Sequence, residues 1–188
     1  MQQKYEKIFI LFFREAELGN WQNFHIEEIS KKLKMKLEDL KTLIPNKNHF
    51  LKFYNSKVDE EVIKGISEDE LKISSSDEII QEYFMSKLEI MAKYKFAFIN
   101  ILNNSIKDPG FILINLKSNT DSINKFLNKV SKKEKDINRI VLTKLLLGVW
   151  ILAFNKWLYE EDNDELWLAT VNKGINKIKK NTNLFSKI

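Results

Sequence analysis

The chain has 188 residues and a net charge of +5, with 44% hydrophobic and 30% charged residues, which is an ordinary composition for a soluble globular protein. It has only 5 glycines and 2 prolines, and no cysteine. Because glycine and proline are rare, the sequence favours long helices over a β protein with many turns. The lack of cysteine excludes disulfides, thiolate metal sites and cysteine nucleophiles. We therefore expect an all-α protein with one core, or a small domain joined to a larger one.

The first predicted helix covers residues 3–18. Its apolar stripe at helical spacing consists of Tyr5, Ile8, Phe12, Phe13 and Ala16. Gly19 and Asn20 end the helix, because both residues tolerate the left-handed conformation that is common after helices. The apolar run near the N-terminus is short and is soon followed by charged residues, so it does not predict a signal peptide.

Residues 20–51 have the layout of a helix-turn-helix. The two apolar stripes are Ile26, Ile29 and Leu33 in the first helix, and Leu37, Leu40 and Leu43 in the second. Residues 34–36 break the period and predict the turn. Pro45 ends the second helix, and Asn46 is suited to cap a further helix over residues 47–65.

The same segment resembles the N-terminal domain of TetR-type transcriptional regulators. The family's Gly-aromatic pair corresponds to Asn20-Trp21, and its Ile-Ala pair to Ile29-Ser30. Its apolar turn residue corresponds to Met35, its Pro-Ser-Lys to Pro45-Asn46-Lys47, and the following Leu to Leu51. The chain departs from the family at four positions. Lys34 replaces the turn glycine, and Lys36 replaces the Ser or Thr cap. Lys41 replaces the aromatic residue that touches a phosphate, and Ile44 replaces the Phe that follows. The resemblance implies a helix-turn-helix module over residues 1–46, a connecting helix over 47–70, and a helical regulatory and dimerisation domain over 71–188.

The resemblance also implies a function: a cytoplasmic, homodimeric transcriptional repressor that binds DNA and is switched by a small ligand. The residues that would contact phosphates or bases are Lys36, Lys41, Thr42 and Lys47. Between residues 31 and 47 there are six lysines against Glu38 and Asp39, and such a patch attracts polyanions. A solvated face in a lysine-rich protein is the other interpretation of the patch.

The middle of the chain predicts further helices. Residues 68–76, acidic and then serine-rich, predict a joint, and Ser75 with Glu78 forms a capping box at its end. Asp108-Pro109 is typical of a helix start, and residues 118–121 predict the opening of another segment.

Two capping boxes, Ser131 with Glu134 and Asp162 with Glu165, head the last two predicted helices, which run to about residues 159 and 180. Both helices have more apolar positions than one helical layer can bury. The resemblance implies that they pair with their copies in a second subunit. The predicted interface residues are Leu147, Ile151, Val171 and Ile175.

Aromatic residues are frequent in the second half of the chain. Trp150, Phe154 and Trp157 are spaced i, i+4, i+7 and share one helix face. In the resembled family this domain encloses a ligand cavity, here expected to take a small apolar or amphipathic molecule. The predicted lining residues are Phe84, Phe98, Trp150 and Phe154. Plain core or dimer packing is the alternative interpretation of the aromatic stripe.

The sequence gives little support for catalysis. His25 and His49 have no matching nucleophile or carboxylate pattern, and no nucleotide-binding or hydrolase motif occurs. The acidic run over residues 160–165 lacks the spacing of a calcium loop, so we expect no enzyme activity, cofactor or metal. The apolar run over residues 145–154 is shorter than the roughly 20 residues that span a bilayer, so we expect no membrane insertion.

A second functional class stays open. Lipid-binding accessory proteins of ubiquinone biosynthesis share the TetR-type fold but lack a working recognition helix. Leu43-Ile44-Pro45 resembles their Leu-Phe-Pro, and Lys41, in place of an aromatic residue, favours this class. Binding to operator DNA separates the two.

Overall fold

The computed structural model describes residues 3–130, 137–160 and 165–182. Within these ranges the chain forms ten α-helices, one 3-10 turn and no strand, which confirms the all-α prediction. The helices are α1 (Gln3–Glu17), α2 (Ile26–Leu33), α3 (Leu37–Leu43), α4 (Phe50–Gly65), α5 (Glu68–Ile73), α6 (Ser76–Ala92), α7 (Lys95–Ser105), α8 (Pro109–Val130), α9 (Ile137–Tyr159) and α10 (Glu165–Asn181). The 3-10 turn, Lys47–His49, leads directly into α4.

Local signals set most of the helix boundaries. The side chain of Asn46 accepts a backbone hydrogen bond within the 3-10 turn, as a capping residue does. The Glu78 carboxylate accepts from the Ser75 N–H at 2.7 Å, and Ser75 Oγ accepts from the Glu78 N–H at 3.4 Å. Asp108 accepts two backbone hydrogen bonds in the first turn of α8. These three predictions are confirmed.

Two boundaries differ from the prediction. Residues 118–121 open no new segment, because they lie in the middle of α8, where Ser118 is buried. The predicted joint at residues 68–76 contains α5, which begins at a serine capping box of its own. The caps predicted for the last two helices, Ser131 and Asp162, lie outside the described residues.

The chain divides into two compact units, each made of two separate stretches. The first unit consists of Met1–Val58 and Met91–Ser118, and the second of Asp59–Ile90 and Asn119–Ile188. The domains predicted at 1–46, 47–70 and 71–188 are contiguous, whereas in the structure α7 joins the helix-turn-helix segment in the first unit. The functional boundaries stay a prediction.

Aromatic side chains of α1 and α4 build the core of the first unit. Phe12 stacks on Phe50 with ring centroids 4.4 Å apart and planes 5° from parallel. Trp21, in the loop after α1, is buried and donates from Nε1 to Ser105 Oγ at 2.8 Å. This packing fixes the loop that leads into α2.

In the second unit α9 and α10 pack closely against each other. Gly174 of α10 lies against Val149 of α9, and a Cβ at position 174 would lie 2.5 Å from Val149 Cγ2. A side chain at this position would therefore force the helices apart, and glycine permits the close approach.

Candidate nucleic-acid interface and interior of the helical unit

The predicted helix-turn-helix is formed by α2 and α3. Lys34 takes a left-handed conformation, with φ 52°, where the resembled regulators have glycine, and this conformation costs a non-glycine residue roughly 1 kcal/mol. Ser30 is buried and holds the turn, because its Oγ donates to Met35 O at 2.7 Å while its own carbonyl accepts from the Met35 N–H at 3.1 Å. The turn is thus formed without its usual glycine.

The short helix α3 has an inner and an outer side. Leu40 is buried as predicted, and Ile44, directly after the helix, is buried as well. Leu37 and Leu43 are only half-buried. The exposed residues of α3 are Glu38, Asp39, Lys41 and Thr42. The outer side therefore mixes acidic, basic and neutral polar groups.

Three of the predicted DNA-contacting residues lie on or next to the outer side of α3. Lys41 Nζ lies 3.0 Å from Glu27 Oε1 of α2, and both side chains are nearly half exposed. Thr42 Oγ1 donates to Glu38 O at 2.9 Å, within its own helix. Lys36 directly precedes the helix, and its side chain is exposed and makes no capping hydrogen bond. Because exposed ion pairs are weak, a phosphate can compete with Glu27 for Lys41.

Lys47, the fourth predicted DNA-contacting residue, contacts the loop between α1 and α2. Its Nζ donates to the carbonyl oxygens of Trp21 and Gln22, at 2.9 and 2.6 Å. Burial lowers the pKa of Lys47. Its ammonium group is therefore engaged by the loop between α1 and α2, and a DNA contact by Lys47 stays a prediction. Lys32 is also engaged, in an ion pair with Glu15 of α1, so the lysine patch carries less free charge than its sequence suggests.

Three of the four predicted pocket residues meet in the second unit. The ring centroids of Phe84 and Trp150 are 5.2 Å apart, and those of Trp150 and Phe154 are 5.5 Å apart. Trp150 Nε1 donates to Asn119 Oδ1 at 2.9 Å. Phe98 is assigned to the first unit instead, where its ring packs against Phe13 at a centroid distance of 5.3 Å.

A polar cluster that the sequence did not predict lies in the interior of the second unit. It consists of Asp59, Tyr83, Lys87 and Ser122, each at most 2% exposed. Asp59 Oδ1 accepts hydrogen bonds from Lys87 Nζ at 2.8 Å, from Ser122 Oγ at 2.7 Å and from Tyr83 OH at 3.1 Å. Lys87 Nζ also donates to Ser122 Oγ at 2.6 Å. This Asp59 cluster ties α4, α6 and α8 together.

The environment of the Asp59 cluster is strongly desolvated. Burial lowers the pKa of Lys87, and the charge of Asp59 opposes that effect. Burial also raises the pKa of Tyr83, and the negative charge of Asp59 raises it further. One signal in the sequence could have revealed the cluster: Lys87 lies four residues after Tyr83 and four before Met91, on the apolar stripe of α6. A charge on a buried face requires a buried partner.

α4 and α8 line a groove one helical turn beyond the Asp59 cluster. The groove has a volume of about 550 Å³ and is open to solvent. Its lining residues are Glu60, Ile63 and Lys64 of α4 and Lys125, Asn128 and Lys129 of α8. Three lysines against one carboxylate make this lysine groove electropositive.

The outer face of α9 is apolar. Its exposed large apolar side chains are Ile140, Val141, Leu145, Ile151, Leu152 and Tyr159, which are 37–63% exposed. Ile151 was predicted as an interface residue, and Leu147, also predicted, is half-buried. Val171 and Ile175 are only 0% and 3% exposed. The chain's own packing buries them, and their role at an interface stays a prediction.

α9 also contains a possible membrane span by length and composition. Asn138–Tyr159 is the one such stretch in the described ranges, with a mean hydropathy of 1.5. Core helices of soluble proteins meet the same criterion, so a single stretch is weak evidence for a membrane. In the same ranges, no group of three or more His, Asp or Glu residues is placed to hold a metal ion. Most of the acidic run over residues 160–165 lies outside them.

The architecture is similar to that of a solved TetR transcriptional regulator from Nitrosomonas europaea ATCC 19718. The match has a TM-score of 0.71 and covers 94% of this chain and 98% of that one. The chain has the TetR-type fold. With 11% sequence identity, the similarity establishes the fold alone, and one fold can host several functions. No protein-family model and no curated protein matches the sequence.

Proposed function

We propose that this protein is a cytoplasmic, homodimeric transcriptional regulator that binds operator DNA through α3 and is switched by a small ligand. The observation that carries the proposal is the exposed outer side of α3 within a TetR-type fold. Leu40 and Ile44 anchor the helix, which leaves Lys36, Lys41 and Thr42 at the surface. The second helix of a helix-turn-helix enters the major groove with side chains of this kind.

The charges of α3 determine how it can bind. Glu38 and Asp39 repel phosphates, so they belong beside base edges or off the groove, and a carboxylate can accept from the amino group of cytosine. Lys41 exchanges Glu27 for a phosphate or a guanine edge, since an exposed pair is easily replaced. Lys36, next to the N-terminus of α3, would contact a phosphate.

The proposed dimer forms through the outer face of α9. Along this face, spacings of four, three, four and seven residues separate Val141, Leu145, Gly148, Leu152 and Tyr159. Such a repeat lets two helices pack along a seam. A Cβ at Gly148 would meet nothing within 4 Å, so the partner helix can approach closely there. A twofold dimer would present two copies of α3 to successive major grooves.

Leu152→Glu tests the dimer, because it places a charge in the middle of the apolar seam. We expect this variant to be monomeric by sedimentation equilibrium at micromolar concentration, where the wild type is dimeric. Ala169→Glu adds the same charge at an exposed position of α10 and should stay dimeric. A monomeric wild type would rule out the proposed interface.

The proposed switching ligand is a small apolar or amphipathic molecule that binds beside the rings of Phe84, Trp150 and Phe154. The support is the contact of the Phe84 and Phe154 rings with the Trp150 indole, at centroid distances of 5.2 and 5.5 Å. We expect the apolar dye anilinonaphthalene sulfonate to bind with an increase in its own fluorescence, and Phe154→Ala to change the dye affinity at least fivefold. A dye affinity that does not respond to Phe154→Ala would contradict this site.

Fluorescence anisotropy with the DNA upstream of the protein's own gene tests the regulator proposal, at roughly 50 and 200 mM salt. Lys36→Ala and Lys41→Ala should each weaken binding and reduce the salt slope by about 0.9 per subunit. Lys173→Ala, which removes an exposed lysine from α10, is the matched control and should leave the slope unchanged. If the wild type binds no DNA more tightly than roughly 10⁻⁴ M, the lipid-binding class becomes the better proposal.

A further inference from the structure

The lysine groove between α4 and α8 has the charge and size of a binding site for a small anion. We propose that it binds a phosphorylated small molecule with two or more negative charges. The proposal concerns the second unit alone and does not depend on DNA binding by α3.

The lysines of the groove have few acidic partners. Lys64 and Lys125 form no ion pair with any residue of the described ranges. Lys129 Nζ lies 3.9 Å from Glu68 Oε1, at the outer limit of an ion pair, and Glu68 is 70% exposed. Three ammonium groups around one opening attract a ligand of opposite charge, and lysine is a common phosphate-binding residue.

The dimensions of the groove suit a small molecule. Its volume of about 550 Å³ lies within the roughly 300–1,000 Å³ of small-molecule sites. Asn128 adds an amide donor, and Ile63 offers an apolar wall for the organic part of a ligand. Glu60 is the acidic exception, and its carboxylate should weaken the binding of any anion.

The two sides of the groove are held at a fixed spacing. Ser122 Oγ donates to Asp59 Oδ1 at 2.7 Å and joins α8 to α4 one turn before the groove. The bond fixes the spacing of the two helices, whereas the Lys64 and Lys125 side chains are exposed. The charge of Lys125 also contributes to lowering the pKa of Lys87. An anion bound at Lys125 would therefore change the electrostatic environment of the Asp59 cluster.

Helix stabilisation is a competing explanation for two of the lysines. Lys64 and Lys129 lie in the last turns of α4 and α8, where a cation offsets the helix dipole. That role requires no ligand, and it predicts a loss of stability without a loss of anion affinity. It does not account for Lys125, which lies before the last turn of α8.

Isothermal titration calorimetry of the full chain with inorganic pyrophosphate, at constant ionic strength, tests the proposal. We expect one site per chain. The triple variant carries Lys64→Gln, Lys125→Gln and Lys129→Gln. Since a charge pair at contact in water gives about fivefold, the triple variant should bind on the order of a hundredfold more weakly.

A matched triple variant controls for the general loss of charge. It carries Lys173→Gln, Lys177→Gln and Lys180→Gln, all at exposed positions of α10. Its pyrophosphate affinity should stay within about twofold of the wild type. An equal loss in the two triple variants, or no saturable binding to the wild type, would overturn the proposal.

Two further measurements keep the test decisive if the groove triple variant does not fold. Glu60→Gln removes the carboxylate of the groove and should tighten pyrophosphate binding by about fivefold, whereas unchanged or weaker binding counts against the site. Titration with ADP identifies the ligand source: tighter binding than pyrophosphate indicates a nucleotide-like ligand held partly by Ile63, and equal binding indicates recognition of the phosphates alone.

Discussion

Lys87→Met is expected to destabilise the protein strongly, because it removes the cation and leaves the Asp59 carboxylate buried. Methionine is similar in length, so the packing against Tyr83 and Trp150 is largely kept. Removal of one partner of a buried pair costs about 3–5 kcal/mol. Asp59 keeps the hydroxyls of Ser122 and Tyr83 as donors, at 2.7 and 3.1 Å, which places the expected loss near the lower end of that range.

The double variant Asp59→Leu, Lys87→Met removes both charges and should recover most of this loss. Tyr83 OH and Ser122 Oγ lie 2.7 Å apart, so they can satisfy each other when Asp59 is gone. Apolar replacement of a whole buried ion pair is often neutral or stabilising. Asp59→Leu alone leaves Lys87 buried without its carboxylate and should also be destabilising, so we expect a coupling free energy of at least about 3 kcal/mol from the double-mutant cycle.

Urea denaturation, followed by circular dichroism at two protein concentrations, measures these free energies, since dimerisation changes apparent stability. In thermal melts, at about 2–4 °C per kcal/mol for a chain of this size, a loss of about 3 kcal/mol for Lys87→Met should lower Tm by roughly 6–12 °C. Lys72→Met is the control, because it removes the cation of an exposed pair with Asp69 and should change little. A loss below about 1 kcal/mol for Lys87→Met would refute the buried charged pair.

Three further predictions concern backbone, packing and pH. Lys34→Gly should stabilise the protein by up to about 1 kcal/mol in thermal melts, because φ is 52°, and a lower Tm would contradict this. Gly174→Ala should destabilise it to urea by about 1–3 kcal/mol, because the added Cβ would lie 2.5 Å from Val149 Cγ2. Gly65→Ala, with nothing within 4 Å, should show no such loss. The hydrogen bond from Lys32 lowers the pKa of Glu15 below its ordinary 4.5. Ionised Glu15 therefore stabilises the fold above pH 4.5, and this contribution to the free energy of unfolding is lost as pH falls through the folded-state pKa. Urea titrations from about pH 6 to pH 3 should show a smaller loss for Glu15→Gln than for the wild type, and equal losses would contradict the assignment.

The features that were predictable from sequence are those with local causes. The bounds of α2 follow from the helical spacing of Ile26, Ile29 and Leu33, and α3 ends one residue before the predicted position. Ser75 and Asp108 predict the helix starts correctly because capping is a contact between residues a few positions apart. Long apolar stripes with little glycine or proline were enough to predict an all-α chain.

The features that were missed depend on contacts between distant residues. Asp59 and Lys87 are 28 positions apart, and the sequence does not reveal that they form an ion pair. Ser118 resembles a helix start because serine favours caps, yet its hydroxyl accepts from Asn55 Nδ2 at 3.2 Å in the interior of α8. The burial of Val171 and Ile175 within the chain was not predictable either, because periodicity alone cannot tell packing within a chain from packing between two chains.

Salt-dependent DNA binding by the proposed dimer tests the proposed function most directly. Each phosphate contact is counted twice in a dimer, so loss of two lysines per subunit should reduce the slope of log affinity against log salt by about 3.6. We predict saturable binding of the wild type to its upstream DNA, and a reduction of this size in the double variant Lys36→Ala, Lys41→Ala. Wild-type affinity no tighter than roughly 10⁻⁴ M, or an unchanged slope in the double variant, would contradict DNA recognition through α3.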